Sequence, residues 1–125
     1  MSEVLFKEQS FQIMGACFEV HNKMGGGFVE PVYQECLAIE MGLRGIPFAV
    51  KQQVELQYKD RILKQEFEPD FVCFEQIIIE IKAVTSLCDE HRAQVLNYLH
   101  VTRFKLGLLV NFGTHPKLQH ERFVL

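Results

Sequence analysis

Along the first part of the chain apolar residues recur at helical spacing. Phe11, Met14 and Phe18, with Cys17 on the flank, predict an amphipathic helix between Phe6 and Met24. Gly25, Gly26 and Gly27 end it, because glycines supply the positive φ of a helix C-cap and a small cap for the helix that follows. That second helix is expected from about Phe28 to Leu43, with Val29, Val32, Tyr33, Cys36 and Leu37 in succession, closed by Gly42 and Gly45-Ile46-Pro47. From Phe48 the period becomes two. Phe48, Val50, Val54, Leu56 and Tyr58 alternate, Lys59-Asp60 makes a tight turn, and Arg61 to Phe67 returns as the second arm of a hairpin. Pro69 interrupts the ladder, after which Asp70 to Phe74 and Ile77 to Ala83 form two strands joined around Glu75-Gln76.

A third helix fits Asp89 to Val101, with Val95, Leu96 and Leu99 inward. Leu106 to Phe112 reads as a strand buried on both faces, and Arg122 to Leu125 adds an edge strand. This order predicts an α/β (α+β) sandwich in which helices cover a mixed sheet. The chain has 125 residues, 48% apolar and 23% charged, with no internal repeat or linker, which fits a single domain over residues 1–125. A net charge of −3 argues against a polybasic membrane binder or a non-specific nucleic-acid coat. Uncharged runs fall well short of the roughly 20 residues that span a bilayer, and no signal-peptide core opens the chain, so a cytoplasmic protein with no membrane partner is expected. Cys17, Cys36, Cys73 and Cys88 form no CxxC pair and read as reduced core thiols. Neither HxH nor HExxH occurs, which argues against a histidine zinc site.

The charges in Ile77-Ile78-Ile79-Glu80-Ile81-Lys82 need a reason, since the rest of that run is a buried strand. Residues two apart share a face of a strand, so Glu80 and Lys82 stand together. An intrastrand ion pair at a sheet margin would explain them alone. Asp70 changes the weighting: a connection with an odd number of residues, such as Phe74 to Gln76, pairs Asp70 with Glu80 on the same face, whereas an even one separates them. The odd register, or a bulge with the same effect, is the expectation. Two carboxylates beside a lysine make a hard-oxygen site suited to Mg2+ or Mn2+, with the Ile81 backbone carbonyl as a third protein ligand and water for the rest. Lys82 is then placed to position an attacking water and to offset charge on a phosphate, which points to phosphodiester hydrolysis.

Gly27-Phe28-Val29-Glu30-Pro31-Val32-Tyr33, Pro69-Asp70 followed by Glu80-Ile81-Lys82, Gln94 with Tyr98, and Leu108-Leu109-Val110-Asn111-Phe112-Gly113 fall in one order along the chain. In these four elements the sequence resembles the GxxExxY proteins, a branch of the PD-(D/E)XK nuclease superfamily, over roughly Phe6 to Val124. The resemblance implies a restriction-endonuclease-like sandwich with a mixed four-stranded core sheet flanked by helices, and metal-dependent nuclease chemistry. It implies catalytic roles for Glu30, Asp70, Glu80 and Lys82, with Asp70, Glu80 and the Ile81 carbonyl on the metal. Tyr33, Gln94 and Tyr98 become supporting or substrate-binding residues.

Each residue also has an ordinary reading. Glu30 is a first-turn glutamate favoured by the helix dipole by about 0.3–1 kcal/mol, third in its helix if Gly27 caps. Tyr33 is a half-buried core tyrosine, and Gln94 a helix-surface amide. His91 and Arg92 are solvated first-turn residues, and the three glycines a packing turn in preference to a phosphate cradle. Arg61, Lys64, Arg103 and Lys105 offer a scattered basic rim. The function expected is a Mg2+- or Mn2+-dependent nuclease, with DNA as partner by superfamily analogy. The alternatives are a catalytically inactive nucleic-acid or protein interaction module on the same fold, or a metal-dependent hydrolase of a small phosphorylated substrate. A homodimer would join two modest grooves into one longer surface.

Overall fold

The computed structural model describes residues 5–125. The elements run α1 (Lys7–Met24), α2 (Glu30–Leu43), β1 (Phe48–Val50), β2 (Val54–Tyr58), β3 (Arg61–Phe67), β4 (Phe71–Cys73), β5 (Ile77–Lys82), α3 (Asp89–Thr102), β6 (Leu106–Asn111) and β7 (Gln119–Val124). Five strands form one mixed sheet in the order β1-β4-β5-β6-β7, and β2 and β3 pair only with each other. Among the described residues only β5 and β6 run parallel, joined through α3. No helix among the described residues is long and apolar enough to cross a membrane.

The alternation along β5 and β6 divides the core. Ile77, Ile79, Ile81, Leu106, Leu108 and Val110 pack with buried residues of α1 and α2, while Ile78 and Leu109 pack with Val95, Leu99, Leu87 and Phe67. Helices α1 and α2 thus cover one face, and α3 with the β2–β3 hairpin covers the other. All of β6 is buried, as expected of a strand enclosed on both sides.

The sheet has five strands where four were expected, and the expected single hairpin is two structures. The polar run Lys51-Gln52-Gln53 breaks the alternation. Lys51 turns there with φ 49°, and its N–H donates to the Asp70 carbonyl at 3.2 Å. Phe48–Val50 is thereby left on β4, and only Val54–Tyr58 pairs with Arg61–Phe67 about the two-residue turn. The inward stripe of α1 is also rotated from the expected one. Ile13, Ala16, Cys17, Val20 and His21 are buried, whereas Phe11 is 77% exposed and Phe18 is largely outside. Cys17 and Cys73 are core thiols pushed up by burial. Cys88 instead is exposed and Cys36 only partly covered.

The glycine turn after α1 is a packing device. A Cβ on Gly26 would lie 3.5 Å from the Gly113 carbonyl oxygen and 3.6 Å from that of Thr114, and His21 Nε2 bonds the same Thr114 oxygen at 2.7 Å. Gly27 holds φ 103°, which an L side chain rarely adopts. Gly27→Ala is expected to lower stability by about 1–2 kcal/mol, read as a shift in the urea midpoint at unchanged slope.

Candidate metal and catalytic site

Phe71 stands opposite Ile79, Val72 opposite Ile78 and Cys73 opposite Ile77. The connection has the odd length expected, and the register carried one residue outward sets Asp70 opposite Glu80. The backbone phase fixes how close they come. The Asp70 carbonyl is bonded from the β1 side by Lys51 N–H, and the Lys82 carbonyl from the β6 side by Phe112 N–H at 2.8 Å. Asp70 and Glu80 therefore lack mutual backbone bonds, the kind of antiparallel pair whose side chains stand nearest.

Ile81 N–H turns to a side chain and donates to Asp70 Oδ2 at 2.8 Å, which aims that carboxylate. One further step of the register sets Ile81 opposite Pro69. Proline has no N–H to give, so the Ile81 carbonyl gains no ladder bond from it, beside the two acids. Pro69→Ala supplies the missing donor. It is expected to weaken manganese binding several-fold without loss of thermal stability, read by calorimetry and melting of the same sample.

Glu80 Oε1 is buried with no hydrogen-bond partner. Burial, then the nearby charge of Asp70, push the Glu80 carboxyl up to about 9, with Lys82 pulling the other way. Glu80 thus holds its proton at neutral pH, and a cation would displace it. The Glu30 carboxyl is also raised, first by burial and then by Asp70, against Lys82, Lys51 and His91. These couplings put Glu30 within electrostatic reach of the acids and the lysine.

Glu30, Asp70, Glu80 and Lys82 line one cavity of about 360 Å³, with Gln94 and Tyr98 from α3 and Leu56, Glu66, Phe67 and Glu68 at the hairpin side. Gln94 Nε2 donates to the Tyr98 hydroxyl at 2.9 Å, and the Tyr98 ring stacks on Phe67 with centroids 3.5 Å apart. A larger cavity of about 490 Å³ at the β1–β4 edge has Glu75 as its only ionisable lining residue and offers no comparable chemistry.

Tyr33 lies outside this group. Its hydroxyl accepts from Phe28 N–H at 3.2 Å and donates to the Gly25 carbonyl at 2.7 Å, and its fully buried ring stacks on Phe112 at 4.9 Å. Val29, not Gly27, caps α2, so Glu30 is its first residue rather than its third. Tyr33 thus acts on Glu30 only through the loop it ties down. Tyr33→Phe is expected to cost about 1–2 kcal/mol by orphaning those backbone groups, checked by chemical denaturation.

His91 Nδ1 accepts from Cys88 N–H and helps to cap α3. The Arg92 guanidinium is engaged by Glu121 at 2.8 Å and by Asp89 at 2.9 Å. Arg61, Lys64, Arg103 and Lys105 are exposed and do not line the cavity. Lys51, Glu66 and Glu68 were not legible as site residues. The spacing of Glu66, Glu68 and Asp70 by two was the available signal, as such residues share a strand face.

Among the described residues no group of three or more His, Cys, Asp or Glu gathers closely enough to hold a metal ion. The donors present are two carboxylates and a carbonyl. That set fits a hard cation that keeps several of its waters, and the partnerless Glu80 oxygen is where such an ion would bind.

A mixed sheet with helices on both faces, presenting an Asp, a Glu and a Lys at one end of two paired strands, defines a restriction-endonuclease-like fold. The sequence profile of the PD-(D/E)XK nuclease superfamily matches residues 7–123, and the chain belongs to that superfamily. The crystal structure of SSO0001 is similar over 95% of this chain, with a TM-score of 0.58 and 17% identity, a likeness of fold. The chain spans 57% of that protein's length. No curated protein matches it. Nucleases of the superfamily generally use Mg2+ or Mn2+.

Proposed function

We propose that this chain is a Mg2+- or Mn2+-dependent nuclease of the GxxExxY branch, a single domain that hydrolyses phosphodiester bonds in the cytoplasm, with DNA as the substrate. The observation that carries this reading is the buried, partnerless Oε1 of Glu80 opposite Asp70. A native fold leaves few such atoms unsatisfied, and here the atom sits where a cation would complete it.

Asp70 and Glu80 hold the ion, with the Ile81 carbonyl as the third protein donor. A bound cation would supply Lewis acidity toward a phosphoryl oxygen and a lower pKa for water. Lys82, on the same face as Glu80, positions the attacking water and offsets the negative charge that grows on the phosphate. Glu30 accepts a proton or hydrogen bond from a water at the same place, to which its raised pKa is suited. Gln94, braced by Tyr98, closes the cavity on the α3 side.

Manganese calorimetry on the wild type beside an Asp70→Ala, Glu80→Ala double variant tests this without a known substrate. Binding lost in the double variant supports the site; equal binding in both sinks it. The cavity's carboxylates favour a second reading, an interaction module without turnover, because Glu66 and Glu68 face the approach of an anionic backbone while Lys82 is the sole cation of the lining. A salt titration of DNA affinity separates the readings. A steep slope marks several phosphate contacts, and no measurable affinity favours the module or a small phosphorylated substrate. Pairing into a homodimer would lengthen the binding surface, and sedimentation velocity measures it.

A further inference from the structure

The last strand pair carries a side-chain network that the nuclease chemistry does not use. Asn111 is fully buried and stands beside Lys82 in the parallel register. Its Oδ1 accepts from Val84 N–H at 3.0 Å and from Gly113 N–H at 3.0 Å. Its Nδ2 donates to the Val84 carbonyl at 2.9 Å and to Gln119 Oε1 at 3.1 Å. The amide thus has a partner at each of two donor and two acceptor positions, and it reads both backbone groups of Val84 as a neighbouring strand would. Gln119 Oε1 also accepts from Leu87 N–H at 3.0 Å.

Residues 83–88 form neither helix nor strand, yet they join Lys82 at the end of β5 to α3, which carries Gln94 and Tyr98. The network grips this connection at Val84 and again at Leu87. Gly113 makes the grip possible: a Cβ there would stand 2.2 Å from the Val84 carbonyl oxygen and 2.5 Å from its nitrogen. Two cavity-lining parts are therefore set by one clasp on the opposite side of the connection.

We infer that Asn111 and Gln119 are positioning residues, a clasp on residues 83–88 that fixes where the Lys82 ammonium stands relative to Asp70 and Glu80. This deepens the proposed nuclease function and rests on the role given there to Lys82. A satisfied buried amide network has one low-energy arrangement, so it transmits position where a loose loop would not. Asp70 lies just before β4 and Glu80 stands beside Leu109 in the β5–β6 ladder, and none of the clasp's side-chain bonds reaches either acid.

The test uses the metal-free full chain and reads the acylation rate of Lys82 by an amine-reactive probe at one pH, with exposed Lys59 as the internal standard. Asn111→Ala and Gln119→Leu are expected to change the Lys82 to Lys59 ratio at least threefold, at temperatures where both variants stay folded. Gln119→Glu keeps an acceptor oxygen for Leu87 and Asn111, and is expected to restore the wild-type ratio. Gln119 is only partly buried, so Gln119→Leu serves if Asn111→Ala does not fold. An unchanged ratio in folded Gln119→Leu, or a ratio in Gln119→Glu as disturbed as in Gln119→Leu, overturns the inference. Manganese calorimetry on the same variants is expected to match the wild type. A wild type that binds no manganese counts against the metal site, whereas the labelling ratio judges the clasp alone.

Discussion

Under the proposed function, Lys82→Ala is expected to lower phosphodiester cleavage by about a hundred- to a thousandfold, the loss typical of removing one preorganised group that stabilises transition-state charge. The side chain is only half-buried and belongs to neither core cluster, so the fold is expected to persist. The two acids proposed to hold the ion also remain, so manganese binding is expected to persist. Lys82→Arg retains the charge but brings a planar, longer fork in place of a compact ammonium, and recovers little of the rate. Single-turnover cleavage, with manganese calorimetry on the same variants, checks this. A folded Lys82→Ala protein that cleaves at the wild-type rate would remove the lysine from the mechanism.

The second large effect concerns Glu80 and is an opposition between stability and function. Its carboxyl is raised from 4.5 to about 9 by burial and by Asp70. Above pH 4.5 the unfolded chain releases the proton, while the folded chain keeps it up to about 9. Stability from this group is therefore fully present below the unfolded value and is lost as pH rises through the folded one. Metal-free protein is expected to melt at progressively lower temperature from pH 5 to pH 9. Glu80→Gln flattens that dependence and melts higher than the wild type at pH 8, yet loses manganese affinity by tenfold or more. Because the ion replaces a proton, the wild-type binding enthalpy should differ between two buffers of unlike ionisation enthalpy. Melting curves across pH and paired-buffer calorimetry decide it; a Glu80→Gln protein that melts lower at pH 8 would contradict the buried-acid account.

Much of this arrangement was legible because it depends on parity and periodicity. The three-residue connection Phe74 to Gln76 settles on which face Asp70 lies, and that alone brings Asp70 and Glu80 together. The uncharged run from Leu106 could only be a strand with both faces covered. What escaped depends on contacts between distant segments. The helical period of α1 is right, but its inward face is set by packing against α2 and the sheet, so Phe11 stays outside while Ser10 and His21 are covered. Alternation from Phe48 to Tyr58 cannot tell one strand from two, because the break at Lys51 is held by a bond to Asp70, a residue far along the chain. Tyr33 sits in a motif with Glu30, yet its hydroxyl is consumed by the glycine loop, and only the position of that loop connects it to the acid. Asn111 reads as one more residue of a core strand, because its bonds to Val84 and Gln119 join segments that spacing along the chain does not place together.

The hairpin of β2 and β3 is bonded to neither edge of the main sheet, and it holds its place through Phe67, Val54 and Leu56 against α3. The chain thus separates the sheet that sets Asp70, Glu80 and Lys82 from a hairpin that lines the same cavity through Leu56, Glu66 and Phe67. Bonds within the five-stranded sheet keep the acids in register whatever happens to the hairpin, whose two-residue turn at Lys59-Asp60 can be lengthened without moving a rung of that ladder. Under the proposed function, reach and selectivity can change as an exchangeable fitting, while the sheet that sets the two acids stays as it is.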